Sequence, residues 1–323
     1  MTSQHSHDVD VIGIGEAMVL LEPEHSADLA TAPRLDVKVA GAELNACAAV
    51  AALGGSSAFL TRLGDDPLSE RVIANARSAG VAVLAERGER EQVGVFFKQH
   101  SPGENRSVFY YRSTSAASRM SPSLLRLAAP IRAGAVLVSG LTAAISPGAA
   151  EVLLAVPRAA IGQRLVVDAN LRPALGHLDR SLRTIRALLP HTWILSLGVD
   201  EAPLLFGTDE PSAIAAAAHR AGCSEVVIKD GPRGAYWVDD DARPHHIPPE
   251  TVTAVDTVGA GDAFTGSYVW ARLNGHSRRA AATLASAVAA GVVARHGDTE
   301  GLPRPSELPA LLARLSRAAD DAA

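Results

Sequence analysis

A chain of 323 residues, 47% of them hydrophobic, can bury one large core or two average ones. Its net charge of -5 offers no basic surface for nucleic acid or an acidic membrane. Cys47 and Cys223 stand far apart without a CxxC pair, which argues against a disulfide scaffold and a cysteine-rich zinc site.

The opening residues MTSQHSHDVD are polar and hold no apolar run, so they do not read as a secretory signal. Residues 1–8 are expected as a disordered tail ahead of one domain over 9–323. Residues 9–14 read as a buried strand ending at Gly15-Glu16, and residues 34–39 alternate like a second strand. The helix over 42–53 is stopped by Gly54-Gly55. A strand over 57–63 meets Gly64-Asp65-Asp66. The helix over 67–79 that follows carries Leu68, Val72, Ile73 and Ala76 on one face. Residues 93–97 and 107–112 pattern as a hairpin around residues 101–105. The chain has 6 Phe, 4 Tyr and 3 Trp, and five of these thirteen (Phe96, Phe97, Phe109, Tyr110 and Tyr111) fall in that hairpin. The concentration suits a surface covering a ligand or a second subunit, or equally a hairpin packing on its own body.

The least polar stretch, residues 134–150, is broken by Ser139, Ser146 and Pro147 and is too short to cross a bilayer. A cytoplasmic protein is expected. Strands over 135–138, 165–168, 192–196 and 225–229 alternate with Ala-rich helices, which implies parallel βαβ units. A strand over 251–255 and helices over 260–273, 277–295 and 305–317 close the chain. The expected class is α/β, a mostly parallel sheet covered by helices, with a small β-sheet projecting from it.

Chemistry concentrates in AVDTVGAGDAFTGSY, residues 254–268. A glycine-rich turn at a helix start presents unpaired N–H groups and the positive end of the dipole. Gly259 and Gly261 lack a Cβ, so an anion can approach the backbone between them and Ala260. Asp262, directly after this cradle, is ill placed as a phosphate ligand and well placed as a base for a hydroxyl attacking a phosphoryl group. The plainer reading is a helix start with an acid complementing the dipole. No GxxxxGK[ST] is present, and Gly13-x-Gly15 lacks the third glycine of a dinucleotide fingerprint. KDGPRG, with Lys229, Gly231 and Gly234, reads as a tight turn between strands or as a nucleotide-side loop. Glu201 reads as a solvated acid or as a ligand to water on magnesium. Tyr110 and Arg112 share a face by the period-two rule, and Arg172 follows a strand end, so two arginines from separate elements can grip a carboxylate. Gly41 permits close backbone approach at a helix start, and Asn45 can bond hydroxyls. His245-His246, placed in a Pro-rich loop, and His5 and His7 in the tail read as non-functional.

Taken together, AGAELNACAAVAALGG, TRLGDD with Gly80-Val81, KDGPRG and DTVGAGDAF resemble the ribokinase-like (PfkB) carbohydrate kinases over nearly the whole chain. The resemblance implies a three-layer α/β sandwich with a β-sheet lid drawn from about 34–41 and 93–112. It implies ATP as phosphoryl donor with Mg²⁺, and leaves open a monovalent cation. Asp262 would be the base and the amides of Gly259, Ala260 and Gly261 the anion hole. The aromatic residues of the lid point to a homo-oligomer paired lid to lid. SVFYYRSTSAAS, SGLTAAISP, VDANLRP and HGDTEGLP are most similar to 2-keto-3-deoxygluconate kinases. That likeness would gather Gly41, Phe96, Tyr110, Arg112, Leu141, Arg172 and Asp298 around a sugar acid. Neutral-sugar kinases and a non-catalytic sugar-acid sensor are the alternatives. Three departures stand out. Gly198 replaces the Asn of Asn-x-x-Glu, Phe96 stands where these kinases tend to carry tyrosine, and Ser69 replaces a glycine.

Overall fold

The computed structural model describes residues 8–24, 28–99 and 107–320. The turn expected over 101–105, His5, His7 and most of the expected tail lie outside them. The first half contains β1 (Val9–Ile14), β2 (Met18–Pro23), β3 (Leu35–Ala40), α1 (Ala42–Ala52), β4 (Ser57–Gly64), α2 (Pro67–Ser78) and β5 (Val81–Gly88). It continues with β6 (Val95–Gln99), β7 (Ser107–Tyr111), β8 (Ala133–Ser139), α3 (Gly140–Ile145) and α4 (Pro147–Ala155). Next come β9 (Leu165–Asp168), α5 (Leu178–Leu188), β10 (Thr192–Gly198), α6 (Ala202–Phe206), α7 (Pro211–Arg220) and β11 (Glu225–Lys229). The chain closes with β12 (Ala235–Val238), β13 (Pro244–Ile247), α8 (Ala260–Leu273), α9 (Arg278–Val293) and α10 (Leu308–Asp320).

Nine strands form one sheet in the order β13-β12-β11-β10-β9-β8-β1-β4-β5. All its pairs are parallel except β11 with β12 and β12 with β13. Buried on both faces, the central strands alternate between two cores. Val11, Phe59, Val166 and Val227 pack with α1, α2, α8 and α9 on one side. Ile12, Leu60, Val167 and Ile228 pack with α4, α5 and α7 on the other. The chain runs from β1 outward to β4 and β5, then returns to β8 on the other flank of β1. This reversal makes a topological switch point at β1, and ligands of open α/β sheets collect outside the carboxyl ends of the strands at such points.

Four strands, β3-β2-β6-β7, form a second, smaller sheet, antiparallel except for β2 with β6. Its inward positions, Met18, Leu20, Ala40 and Phe96, make a small core of their own.

The structure corrects several sequence expectations. Residues 251–255 form no strand. They run as a loop tied to the end of α9, with the amides of Val255 and Asp256 donating to the Val293 carbonyl. Pro248 and Pro249 cannot donate to a ladder, so pairing ends at β13. His245 and His246 accordingly lie on an edge strand rather than in a loop, and His245 stacks on Trp237 at 4.2 Å. In α2, Leu68 turns outward and Ser69 takes the buried place. Asp66 sets that rotation by capping the helix through the amides of Leu68 and Ser69. The strands β2 and β5 were not anticipated. In β2, Met18, Val19 and Leu20 are all buried, so no alternation marks it.

Candidate active site

The start of α8 is fixed by Gly259, which lies in the left-handed region at φ 81. A Cβ there would collide with the backbone of Asp298, so the turn accepts only glycine without rebuilding. Ala260 and Gly261 follow as the first helical residues, and Asp262 completes the first turn. Asn45, near the start of α1, donates through Nδ2 to Asp262 Oδ2 at 2.9 Å and to Asp298 Oδ2 at 3.4 Å. Asn170, just past β9 in a left-handed conformation, donates to Asp262 Oδ1 at 3.3 Å. Burial pushes the Asp262 carboxyl up to about 7. The Asn45 bond resists the rise, Asp168 reinforces it, and the charges of Arg172 and Lys229 resist it.

The carboxyl ends of β9, β10 and β11 converge beside this turn. Lys229 donates to both oxygens of Asp168 at 2.9 Å, and its ammonium lies next to Gly261. Burial lowers the Lys229 pKa, but Asp168, Glu201 and Asp262 outweigh it and raise the ammonium above its ordinary value. Thr265, one turn into α8, donates to Asp168 Oδ2 at 2.6 Å, and Ser196 stands 2.8 Å from Thr265 Oγ1. Glu201 accepts the amides of Leu171 and Gly198, each at 2.6 Å. A side chain at 198 would press on Asp200 and Glu201, so Gly198 leaves room for that clasp. Burial raises the Glu201 carboxyl, with the Lys229 charge opposing. KDGPRG is the turn joining β11 to β12. Gly231 and Gly234 have positive φ, and Asp230 pairs with Arg233.

The inner face of the small sheet carries Phe96 and Tyr110, stacked with centroids 5.6 Å apart. Arg112, just past β7, lies 5.8 Å from the Tyr110 ring centre. Its Nη2 contacts the buried Glu16 carboxylate, which also accepts from Ser115. Its Nε and Nη1 are buried without a hydrogen-bond partner among the described residues. Two nitrogens, with three N–H groups between them, therefore stay available beside an aromatic face. Gly41 caps α1 where the backbone of Glu16 and Ala17 passes too closely for a Cβ. Leu141 is half-buried in the first turn of α3, and Arg172 is exposed beyond β9. Asp298 is buried against Gly259. Burial pushes its carboxyl up to about 6, with Lys98 resisting.

Asp262, Asn45, Lys229, Arg172 and Asp298 thus come together, through hydrogen bonds or charge, around the start of α8. Gly231, Gly234 and Glu201 sit on neighbouring loops of the same sheet edge. Sequence reasoning missed Asp168, Asn170, Glu16, Lys98 and Asp256. A signal was present for two of them, since VDANLRP holds Asp168 and Asn170 directly at a strand end. For Lys98, the period-two rule puts it on the same face as Phe96. The Gly13-x-Gly15 pair has a packing role, letting α1 press on β1 through Cys47 and Glu43. Among the described residues, no group of three or more His, Cys, Asp or Glu could hold a metal, and no helix is long and apolar enough to cross a membrane.

The chain is 31% identical over 316 residues to a 2-dehydro-3-deoxygluconokinase of Thermoproteus tenax, with 95% of each chain covered. It is 28% identical over 309 residues to a protein of the same name from Bacillus subtilis, covering 94% of this chain and 95% of that one. Its fold matches a ribokinase II structure from E. coli in complex with ATP and Mg²⁺ at a TM-score of 0.83. That match has 22% identity and covers 95% of this chain and 99% of the other. The match to the pfkB family carbohydrate kinases runs from residue 7 to residue 305, and the chain belongs to that family.

Proposed function

We propose that this kinase transfers the γ-phosphoryl group of ATP to the terminal hydroxyl of 2-keto-3-deoxygluconate, giving 2-keto-3-deoxy-6-phosphogluconate. The observation that carries the reading is Asp262. It is a buried carboxyl raised to about 7, hydrogen-bonded by Asn45 and Asn170, in the first turn of a helix that opens with Gly259, Ala260 and Gly261. A base with a pKa near the working pH suits proton transfer best. Asp262 takes the hydroxyl proton as the new O–P bond forms and the bond to the β-phosphate bridge breaks, releasing ADP. The amides at the start of α8 and the Lys229 ammonium face the charge that gathers on the phosphoryl oxygens.

The small sheet acts as the lid. Phe96 and Tyr110 cover the acceptor from above, and Gly41, Leu141 and Asp298 border it. Arg112, through its unpartnered Nε and Nη1, and Arg172 from the opposite side bind the sugar-acid carboxylate. The KDGPRG turn, with Gly231 and Gly234, borders the nucleotide. Magnesium would arrive on the phosphates, which its charge helps to neutralise. Glu201 keeps a lone pair on each oxygen for a metal-bound water. A monovalent cation is the remaining cofactor of this reading, and turnover compared in sodium, potassium and tetramethylammonium salts checks it. Use of ATP fits a cytoplasmic location, and the exposed face of the lid fits pairing of two copies.

The test is ATP consumption with magnesium on 2-keto-3-deoxygluconate, gluconate, fructose and ribose. Turnover confined to the keto acid is expected. Turnover on a neutral sugar alone would overturn the acceptor, and none on any would overturn the reading.

A further inference from the structure

Lys98 is the largest charged side chain to be fully buried among the described residues, at 1% exposure, and the chemistry above does not use it. It projects from β6 on the inner face of the small sheet, two residues from Phe96. Its ammonium donates to Asp256 Oδ2 at 2.7 Å and stands 3.8 Å from Asp298 Oδ1. Asp256 is 0% exposed and Asp298 is 6% exposed. Two carboxylates so deeply buried repel one another unless a cation lies between them.

Both aspartates touch the turn that starts α8. Asp256 Oδ1 accepts the amide of Val258 at 3.0 Å, one residue ahead of Gly259, while the Asp298 backbone packs on Gly259 itself. Asp298 Oδ2 accepts from Asn45, whose same amide nitrogen donates to Asp262. A continuous set of contacts therefore runs from the small sheet through Lys98, Asp298 and Asn45 to Asp262. Packed hydrophobic groups in place of the whole Lys98, Asp256 and Asp298 cluster would stabilise the fold at least as well as these buried charges. The ammonium is better accounted for by what it holds.

We propose that Lys98 is a positioning residue of the transfer site, its ammonium seating Asp256 and Asp298 so that Asn45 holds Asp262 in its working orientation. The proposal rests on the reading of Asp262 as the base. The charged groups facing Asp298 are Lys98, Asp256 and Glu300, with Asp262 beyond Asn45. Of these, only Lys98 holds its carboxyl down. Without Lys98, Asp298 keeps its proton to higher pH and Asn45 loses a charged acceptor.

The experiment compares Lys98→Met and Lys98→Ala with wild type in the full chain, on whichever acceptor the wild type phosphorylates. We expect kcat to fall about 10-fold or more, because one charge-assisted contact is lost, with the KM for ATP little changed. The acid limb of kcat should move to higher pH. Methylammonium should restore part of the kcat of Lys98→Ala by filling the space between the carboxylates. Tetramethylammonium at equal ionic strength should not. Wild-type kcat and pH profile in Lys98→Met, or no response of Lys98→Ala to methylammonium, would overturn the proposal. If the single variants do not fold, Lys98→Met with Asp256→Asn removes the uncompensated charge, and wild-type kcat in that pair has the same force. Should the wild type phosphorylate nothing, the proposed function fails by itself. Lys98 is then judged by NMR titration of ¹³Cγ-labelled aspartates, where unchanged Asp298 and Asp262 titrations in Lys98→Met would reject it.

Discussion

Asp262 carries opposite demands. Burial holds its carboxyl at about 7, so the native state binds a proton more tightly than the unfolded chain, whose ordinary value is 3.8. Folding stability is therefore penalised as pH rises from about 4 through 7, and the full penalty is present above that range. Asp262→Asn should raise the melting temperature most at pH 8, less at pH 5, and change it little below about pH 4. The same variant should lower kcat by about 10²–10⁴, the usual contribution of a general base. Equal melting temperatures at pH 8 would refute the burial argument. In the wild type, kcat should fall about tenfold per pH unit below 7, and a flat profile between pH 5 and 8 would exclude Asp262 as the base. Arg172, exposed beyond β9, can be removed without leaving a buried charge. Arg172→Ala should raise the KM of the sugar acid about tenfold or more, as expected for a charge-assisted bond, and leave that of ATP unchanged. Steady-state kinetics on both substrates separate the two. Of these residues, Asp262 and Arg172 were legible from position after a turn and after a strand. Asn170 and Asp168 stood in a stretch already singled out, yet nothing in the sequence says that Thr265 and Lys229 would both bond Asp168.

Elements were legible where one periodicity ruled. α8 spans Ala260–Leu273, the bounds its glycine turn and apolar run predict. The expected strand over 251–255 failed because hydrophobic character alone cannot supply a pairing partner, and the prolines before it end the ladder. The start of α8 is the element on which the site depends. Gly259→Ala places a Cβ against the Asp298 backbone at a φ that side chains rarely adopt. The strain should destabilise the protein by about 1–3 kcal/mol and move the first amides of the helix. A fall in kcat larger than the fall in melting temperature explains is the expected result. A variant with wild-type kcat would show that the turn needs no glycine.

Across the whole molecule, the small sheet has two unlike faces. The inner one holds Phe96, Tyr110 and Lys98. The outer one presents Phe109 at 47% exposure and Tyr111 at 68%, with Val37 also exposed. Apolar surface of this kind suits a second copy of the chain. Light scattering should give a dimer, and Phe109→Asp with Tyr111→Asp should give a monomer. A wild type that is monomeric at micromolar concentration would remove the oligomer from the reading. The sequence alone determined the alternation of strands and helices, the glycine turn before Asp262 and the aromatic hairpin, because these follow from local periodicity and backbone freedom. The folded chain alone reveals that Lys98 meets Asp256 across 158 residues, that Arg112 faces Glu16, and that Asn45 joins Asp262 to Asp298. Such pairings depend on where the reversal of strand order brings distant segments together, and burial then sets the charge each group carries.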